Sequence, residues 1–187
     1  NKVRGENSGE EFLLDWLAES AGGEMDAGYA LETLAWCRAM PGLAAVLPPD
    51  QWWSLLDHLL GTVSEAAGLT LGDRPLVHQL LAGELPLTLA YLFPEITACR
   101  KLAPAARREL SAGPVDLLDG QGVPHAGHLE LLRPLLASWT ICRAMSGELS
   151  KDCFSPAAGN QYEWLIRVAM RLSRGDGSQS LSDNSSG

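Results

Sequence analysis

No stretch of this chain alternates apolar and polar residues with the period-two rhythm of a half-buried strand. Apolar residues recur instead at three- and four-residue spacing almost throughout, the rhythm of an amphipathic helix. In "EEFLLDWLAES" (10–20), Phe12, Leu13, Trp16 and Leu17 fall on one face, and Gly22 and Gly23 follow as a stop. Asp26 is placed to cap a helix striped by Tyr29, Leu31, Leu34, Trp36 and Cys37, which Pro41 and Gly42 should end. "PPDQWW" opens a third helix that runs to Gly68. Asp73 should open a fourth, reaching about Phe93, with Pro86 kinking it or splitting it in two. Two short helices, "PEITACRKL" and "PAARRELSAG", precede the turn-rich "PVDLLDGQGVP". The pattern then predicts a long helix over about 126–145, containing Pro134, and a last one over about 160–174. The fold class is therefore all-α, with residues 1–175 as a single helical domain and 176–187 as loop or tail.

The length, 187 residues with 46% hydrophobic content, suits one core. Both ends read as cuts, so the expectation is a fragment of a longer chain. "LLAGELPLTLAYLF" (80–93) is the most apolar stretch, but Glu84 and Pro86 interrupt it and it is too short to span a bilayer. Membrane insertion is not expected. Fourteen basic against 23 acidic residues give a net charge of −9, which argues against nucleic acid as a partner. Cys37, Cys99, Cys142 and Cys153 show no metal-binding spacing; the first three read as small core residues, with a disulfide left open. No phosphate cradle or dinucleotide fingerprint occurs, so no cofactor is implied. "LAWCRAM" (34–40) is echoed by "SWTICRAM" (138–145), each placing an arginine near a predicted helix end where it suits the helix dipole.

Polar residues in apolar settings are the candidate site. His78 and Gln79 break an otherwise greasy helix, with Arg74 one turn before them. Such a pair is either a solvent-facing stripe or a functional one. His125 and His128 stand at i, i+3 spacing after a Gly-rich turn and would share a helical face. A metal would need a third ligand that the neighbourhood does not supply, so none is implied. Trp52 and Trp53 offer aromatic faces on which a sugar ring can stack, or a core residue beside a rim residue. Asp119 with Glu84 or Glu130 is the carboxylate pair that a glycosidase would require.

Three stretches, in order, carry a resemblance. "HQLLAGELPLTLAYLFPE" (78–95), "LLDGQGVPHAGHLELL" (117–132) and "YEWLIRVAMRLSRGDGSQSLSDNSSG" (162–187) resemble the heparinase II/III-like polysaccharide lyases. There a helix ends in a Phe-Pro-Glu-like corner, an Asp-Gly turn leads into the next helix, and a helix runs into a Gly- and Asp-rich loop. The resemblance covers roughly residues 74–187. It implies an incomplete α/α toroid of antiparallel helical hairpins, followed in the parent chain by a C-terminal β-sandwich domain. It also implies β-elimination on a uronic-acid polysaccharide, in a periplasmic or extracellular setting. By the same resemblance His78 or Gln79 would neutralise the sugar carboxylate. His128 stands nearest the family's tyrosine, which serves as base or acid, because no tyrosine lies between 92 and 161. His125, Arg74, Arg133, Trp52 and Asp183 would contact the acidic polysaccharide. The missing tyrosine keeps a second reading open: a non-catalytic helical scaffold or glycan-binding toroid that has lost the lyase residues.

Overall fold

The computed structural model describes residues 9–20, 22–149 and 151–173. Their helices are α1 (Gly9–Ser20), α2 (Ala27–Leu43), α3 (Pro49–Ala66), α4 (Pro75–His78), α5 (Leu85–Leu92), α6 (Thr97–Arg100), α7 (Ala103–Leu117), α8 (Leu132–Ser146) and α9 (Pro156–Leu172). A π-helical turn (Gln79–Glu84) fuses α4 and α5 into one central helix, and a 3-10 turn (Ala126–Leu131) leads into α8. No strand occurs among the described residues; the isolated bridge Leu118–Pro124 closes the turn after α7. The chain is all-α, and no described helix is long and apolar enough to cross a membrane.

The central helix is the axis of the packing. Every residue from 77 to 90 is buried, which fits a sequence apolar on all sides. α2, α3, α7 and α8 pack around it, and α9 packs on α7 and α8. One apolar cluster joins α1–α3 to the central helix through Leu13, Leu34, Leu55, Leu59, Leu81 and Leu85. A second gathers Leu87, Leu110, Leu135, Trp139, Tyr162 and Leu165 from its other neighbours. All four cysteines are buried and unbonded, so the disulfide that spacing left open is absent.

Local chemistry explains several boundaries. Asp26 caps α2 by accepting the Tyr29 N–H at 2.8 Å, and Ser155 caps α9 by accepting the Ala158 N–H at 3.3 Å. Prolines give less punctuation than their sequence positions suggest. α2 runs through Pro41 to Leu43, and α7 runs through Pro114 to Leu117. Each proline removes one ladder hydrogen bond, and at Gly113–Pro114 burial against neighbouring helices outweighs that loss. The predicted helix over 126–145 is an α-helix only from Leu132, which puts Pro134 in its first turn, where no N–H partner is required. Arg74, rather than Asp73, is the N-cap residue of α4, while Asp73 accepts the Thr70 hydroxyl at 2.5 Å.

Pro86 neither breaks nor splits the central helix. In a regular α-helix its ring would press on the Ala82 carbonyl four residues back. The backbone widens instead: the Leu85 N–H bonds to the Leu80 carbonyl, five residues back. Gly83 lies in this turn with Leu110 directly against it; a Cβ there would stand 2.8 Å from Leu110 Cδ2. Leu110 is itself fully buried and cannot yield. Gly83→Ala is therefore expected to destabilise the fold by about 1–3 kcal/mol. Gly61→Ala, in mid-α3 with nothing within 4 Å, is expected to stabilise it by up to ~1 kcal/mol. Urea unfolding of the two variants checks the opposite signs.

Candidate functional site

Gln79 and His78 are buried on the central helix, and their polar atoms are occupied by neighbouring helices. Gln79 is 0% exposed. Its Oε1 accepts the Trp139 indole N–H from α8 at 2.8 Å, and its Nε2 donates to the Glu109 carbonyl of α7 at 2.9 Å. Gly113 leaves room for this amide: a Cβ there would collide with Gln79 and stand 2.9 Å from Trp139 Cζ2. Gln79 Nε2 also lies 3.3 Å from His78 Nδ1, and His78 Nε2 lies 3.4 Å from Glu109 Oε2. Together these contacts assign the neutral tautomer, with the proton on Nε2 facing the carboxylate. Burial lowers the His78 pKa, and Glu109 only partly restores it.

The other candidates have varied surroundings. Arg74 Nη2 contacts Glu24 at 2.5 Å and its Nη1 donates to the Met25 carbonyl at 3.1 Å, tethering the α1–α2 connection. Trp52 is a packing residue: its indole N–H donates to the Met40 carbonyl at 3.0 Å, and its ring meets Phe93 edge-on at 5.4 Å. Arg133 lines a cleft with Leu136, Ala169 and Ser173. His125 is exposed and His128 half-buried on the 3-10 turn, joined by a 2.7 Å backbone hydrogen bond from His128 N–H to the His125 carbonyl. Asp183 lies outside the described residues. The structure thus brings His78 to Gln79 and His125 to His128, but His78 and Gln79 bond to Glu109 and Trp139 rather than to the second pair. Among the described residues no three His, Cys, Asp or Glu side chains converge as a metal site would require.

The Asp-Gly turn helps to shape a different site. Asp119 Oδ1 accepts the N–H groups of Gln121 (2.8 Å) and Val123 (2.9 Å). Those backbone bonds, Val123 first, hold its carboxyl below the usual range. Asp119 thereby forms the turn. Gly122, at φ +78°, seats the turn on α9, where a Cβ would lie 2.5 Å from the Leu165 backbone nitrogen. Between turn and helix runs a groove of about 400 Å³ lined by Gly120, Gln121, Val123, Trp164, Arg167 and Arg171. Trp164 is 44% exposed, and the Arg167 guanidinium lies 4.7 Å from its ring centroid. Arg171 follows one turn later. An aromatic face beside two guanidinium groups can hold a sugar ring and its acid substituent together. Arg167 and Arg171 stand four apart in the sequence and so share a helical face; Trp164 was hidden because a helical tryptophan reads first as core.

Comparison of the chain with family models, curated proteins and solved structures gave no match.

Two measurements check the buried network. A double-mutant cycle of Gln79→Leu and Trp139→Phe is expected to give a coupling of about 1–2 kcal/mol, because either single change strands a buried partner. The sign of the His78 contribution to stability follows from its lowered pKa. The unfolded chain takes up the proton first, so this contribution is intact above the usual 6.5 and is lost as pH falls below it. Urea midpoints measured from pH 7 to 5 are expected to fall, and less steeply for His78→Asn.

Proposed function

We propose that this chain is a non-catalytic, acidic-glycan-binding helical domain, built on the plan of the heparinase II/III-like lyases but without their turnover. The groove formed by Trp164, Arg167 and Arg171 carries the reading. In a chain of net charge −9, two exposed arginines beside an exposed indole suit a ligand whose own negative charge outweighs the repulsion of the remaining surface. Uronic-acid oligosaccharides have that chemistry: an apolar ring face for Trp164 and a carboxylate for bidentate contact with arginine.

The catalytic alternative asks more of the chain. β-Elimination needs a group that neutralises the sugar carboxylate and a base within reach of the adjacent proton. Gln79 is enclosed and both ends of its amide are engaged, and His78 faces Glu109. That leaves His128 without the partners the lyase reading gave it. The toroid arrangement, a following β-sandwich domain and a location outside the cytoplasm belong to the same proposal as the glycan ligand.

Titration of the 187-residue chain with oligouronates, followed by tryptophan fluorescence, tests the reading. Binding is expected to weaken with added salt and to fall by about tenfold in Arg167→Ala/Arg171→Ala, the loss of one or two charge-assisted bonds. No ultraviolet absorbance from unsaturated sugar ends is expected. Absence of binding, or binding indifferent to both arginines, would overturn the proposal. Absorbance that disappears in His128→Ala would restore the lyase.

A further inference from the structure

A second site, independent of the glycan reading, lies between α1 and α2. Phe12 and Trp16 of α1 both meet Trp36 of α2. The ring centroids stand 5.8 Å and 5.5 Å apart, with the planes tilted by 32° and 40°. Neither pair stacks face to face, and all three rings line one groove of about 550 Å³. Trp16 is held in place as its floor. The Trp16 indole N–H donates to Glu32 Oε2 at 3.1 Å, and the ring meets His58 of α3 edge-on at 5.0 Å. Phe12 stands at the rim, 61% exposed. Ala35 and Ala39, one turn apart on α2, complete the lining with side chains too short to fill it. The volume falls within the roughly 300–1,000 Å³ of small-molecule sites.

The charged residues of this lining are all acidic: Asp15, Glu19 and Glu32. α1 has no basic residue, and the one on α2, Arg38, pairs with Glu84 instead. Among the described residues no ion pair engages the three carboxylates. Nor do they converge as a metal ion would require. Carboxylates spread around aromatic faces suit a cation whose own charge is spread. Each ring face is the negative side of its quadrupole and attracts such a cation. A primary ammonium would exchange strong hydration for rings that accept hydrogen bonds poorly. A quaternary ammonium has no N–H to satisfy, and its methyl groups pack on the rings as apolar groups do. An anionic group elsewhere on the ligand would meet the carboxylates with the unfavourable sign.

We propose that this groove binds a small organic cation that bears a quaternary ammonium and no anionic group. The ammonium lies against the Phe12 and Trp36 rings, with Asp15, Glu19 and Glu32 around it. The groove on α9 is unsuited to the same ligand, because Arg167 and Arg171 flank its tryptophan.

Calorimetry on the whole chain decides it, with choline set against three analogues. These are 3,3-dimethylbutan-1-ol (same shape, no charge), ethanolamine (same charge, no methyl groups) and glycine betaine (same cation, added carboxylate). Choline is expected to bind at least about tenfold more tightly than any of them. Ala39→Lys puts a fixed ammonium into the groove from an exposed position and should abolish choline binding with the melting temperature unchanged. Asp15→Asn/Glu19→Gln, at two exposed positions, should weaken it by about threefold or more and serves if the first variant misfolds. Arg167→Ala/Arg171→Ala should leave it unchanged. No binding at millimolar choline would overturn the proposal. So would equal binding of an analogue, or choline binding indifferent to the groove variants.

Discussion

A helix buried on every side has no solvent in which to place its polar side chains. Each must find a partner on a surrounding helix or leave a costly gap. The buried stretch of the central helix, 77–90, carries four: His78, Gln79, Glu84 and Thr88. His78 meets Glu109 on α7, and Gln79 bridges α7 and the Trp139 indole on α8. Glu84 pairs with Arg38 on α2. The Thr88 hydroxyl donates back to the Glu84 carbonyl at 2.8 Å and reaches the Met145 sulfur on α8 at 3.7 Å. These directional contacts fix the axial position and rotation of three helices at once. Leucine contacts alone would tolerate a slip of one turn, whereas a slipped Gln79 would strand a donor and an acceptor together.

The π turn belongs to the same constraint. Pro86 obliges the backbone to widen just before it. Widening redirects the preceding residues relative to an unbroken α-helix, and Glu84 is the last of them. The Cys-Arg-Ala-Met echo gains a physical sense here. Cys37 and Cys142, its two cysteines, both sense the Glu84 charge, one from α2 and one from α8. Burial pushes the Cys37 thiol up to about 12, and Cys142 well above the ordinary thiol range, so both remain protonated. The two arginines diverge: Arg38 turns inward to Glu84, while the Arg143 guanidinium lies 5.5 Å from the Tyr162 ring centroid on α9. The helix-dipole role that the sequence suggested for Arg38 gives way to an ion pair with the buried Glu84, 46 residues distant.

How much of this was legible beforehand follows from the range of each interaction. Helix content and the cap at Asp26 rest on neighbours within four residues, and periodicity reports those well; the Ser155 cap was passed over, and α9 starts at Pro156 rather than near 160. The course of α2 past Pro41 and α7 past Pro114 depends on tertiary packing, which local propensity does not contain. His78 and Gln79 stood out in the sequence because polar residues in a greasy helix demand a reason. A solvent stripe, a catalytic pair and an interhelical bridge leave the same mark on one strand of text. Only the partners Glu109 and Trp139 distinguish them, and these lie 30 or more residues away. Trp52 and Trp164 differ for a related reason. Both are tryptophans on amphipathic helices, but Trp52 turns onto Phe93 and Trp164 onto the groove.

The polar chemistry of the chain divides by depth. In the groove on α9 the charges are exposed, are not tied to each other, and contribute through their number. A ligand there would be held by long-range attraction and would be sensitive to salt. Beneath Arg38 the Glu84 carboxylate is enclosed and already paired, so long-range field is nearly cancelled. What remains is local geometry, which sets the register of α2 against the central helix. Charge at the surface is therefore open to a ligand, while charge in the interior is committed to holding α2 against the central helix.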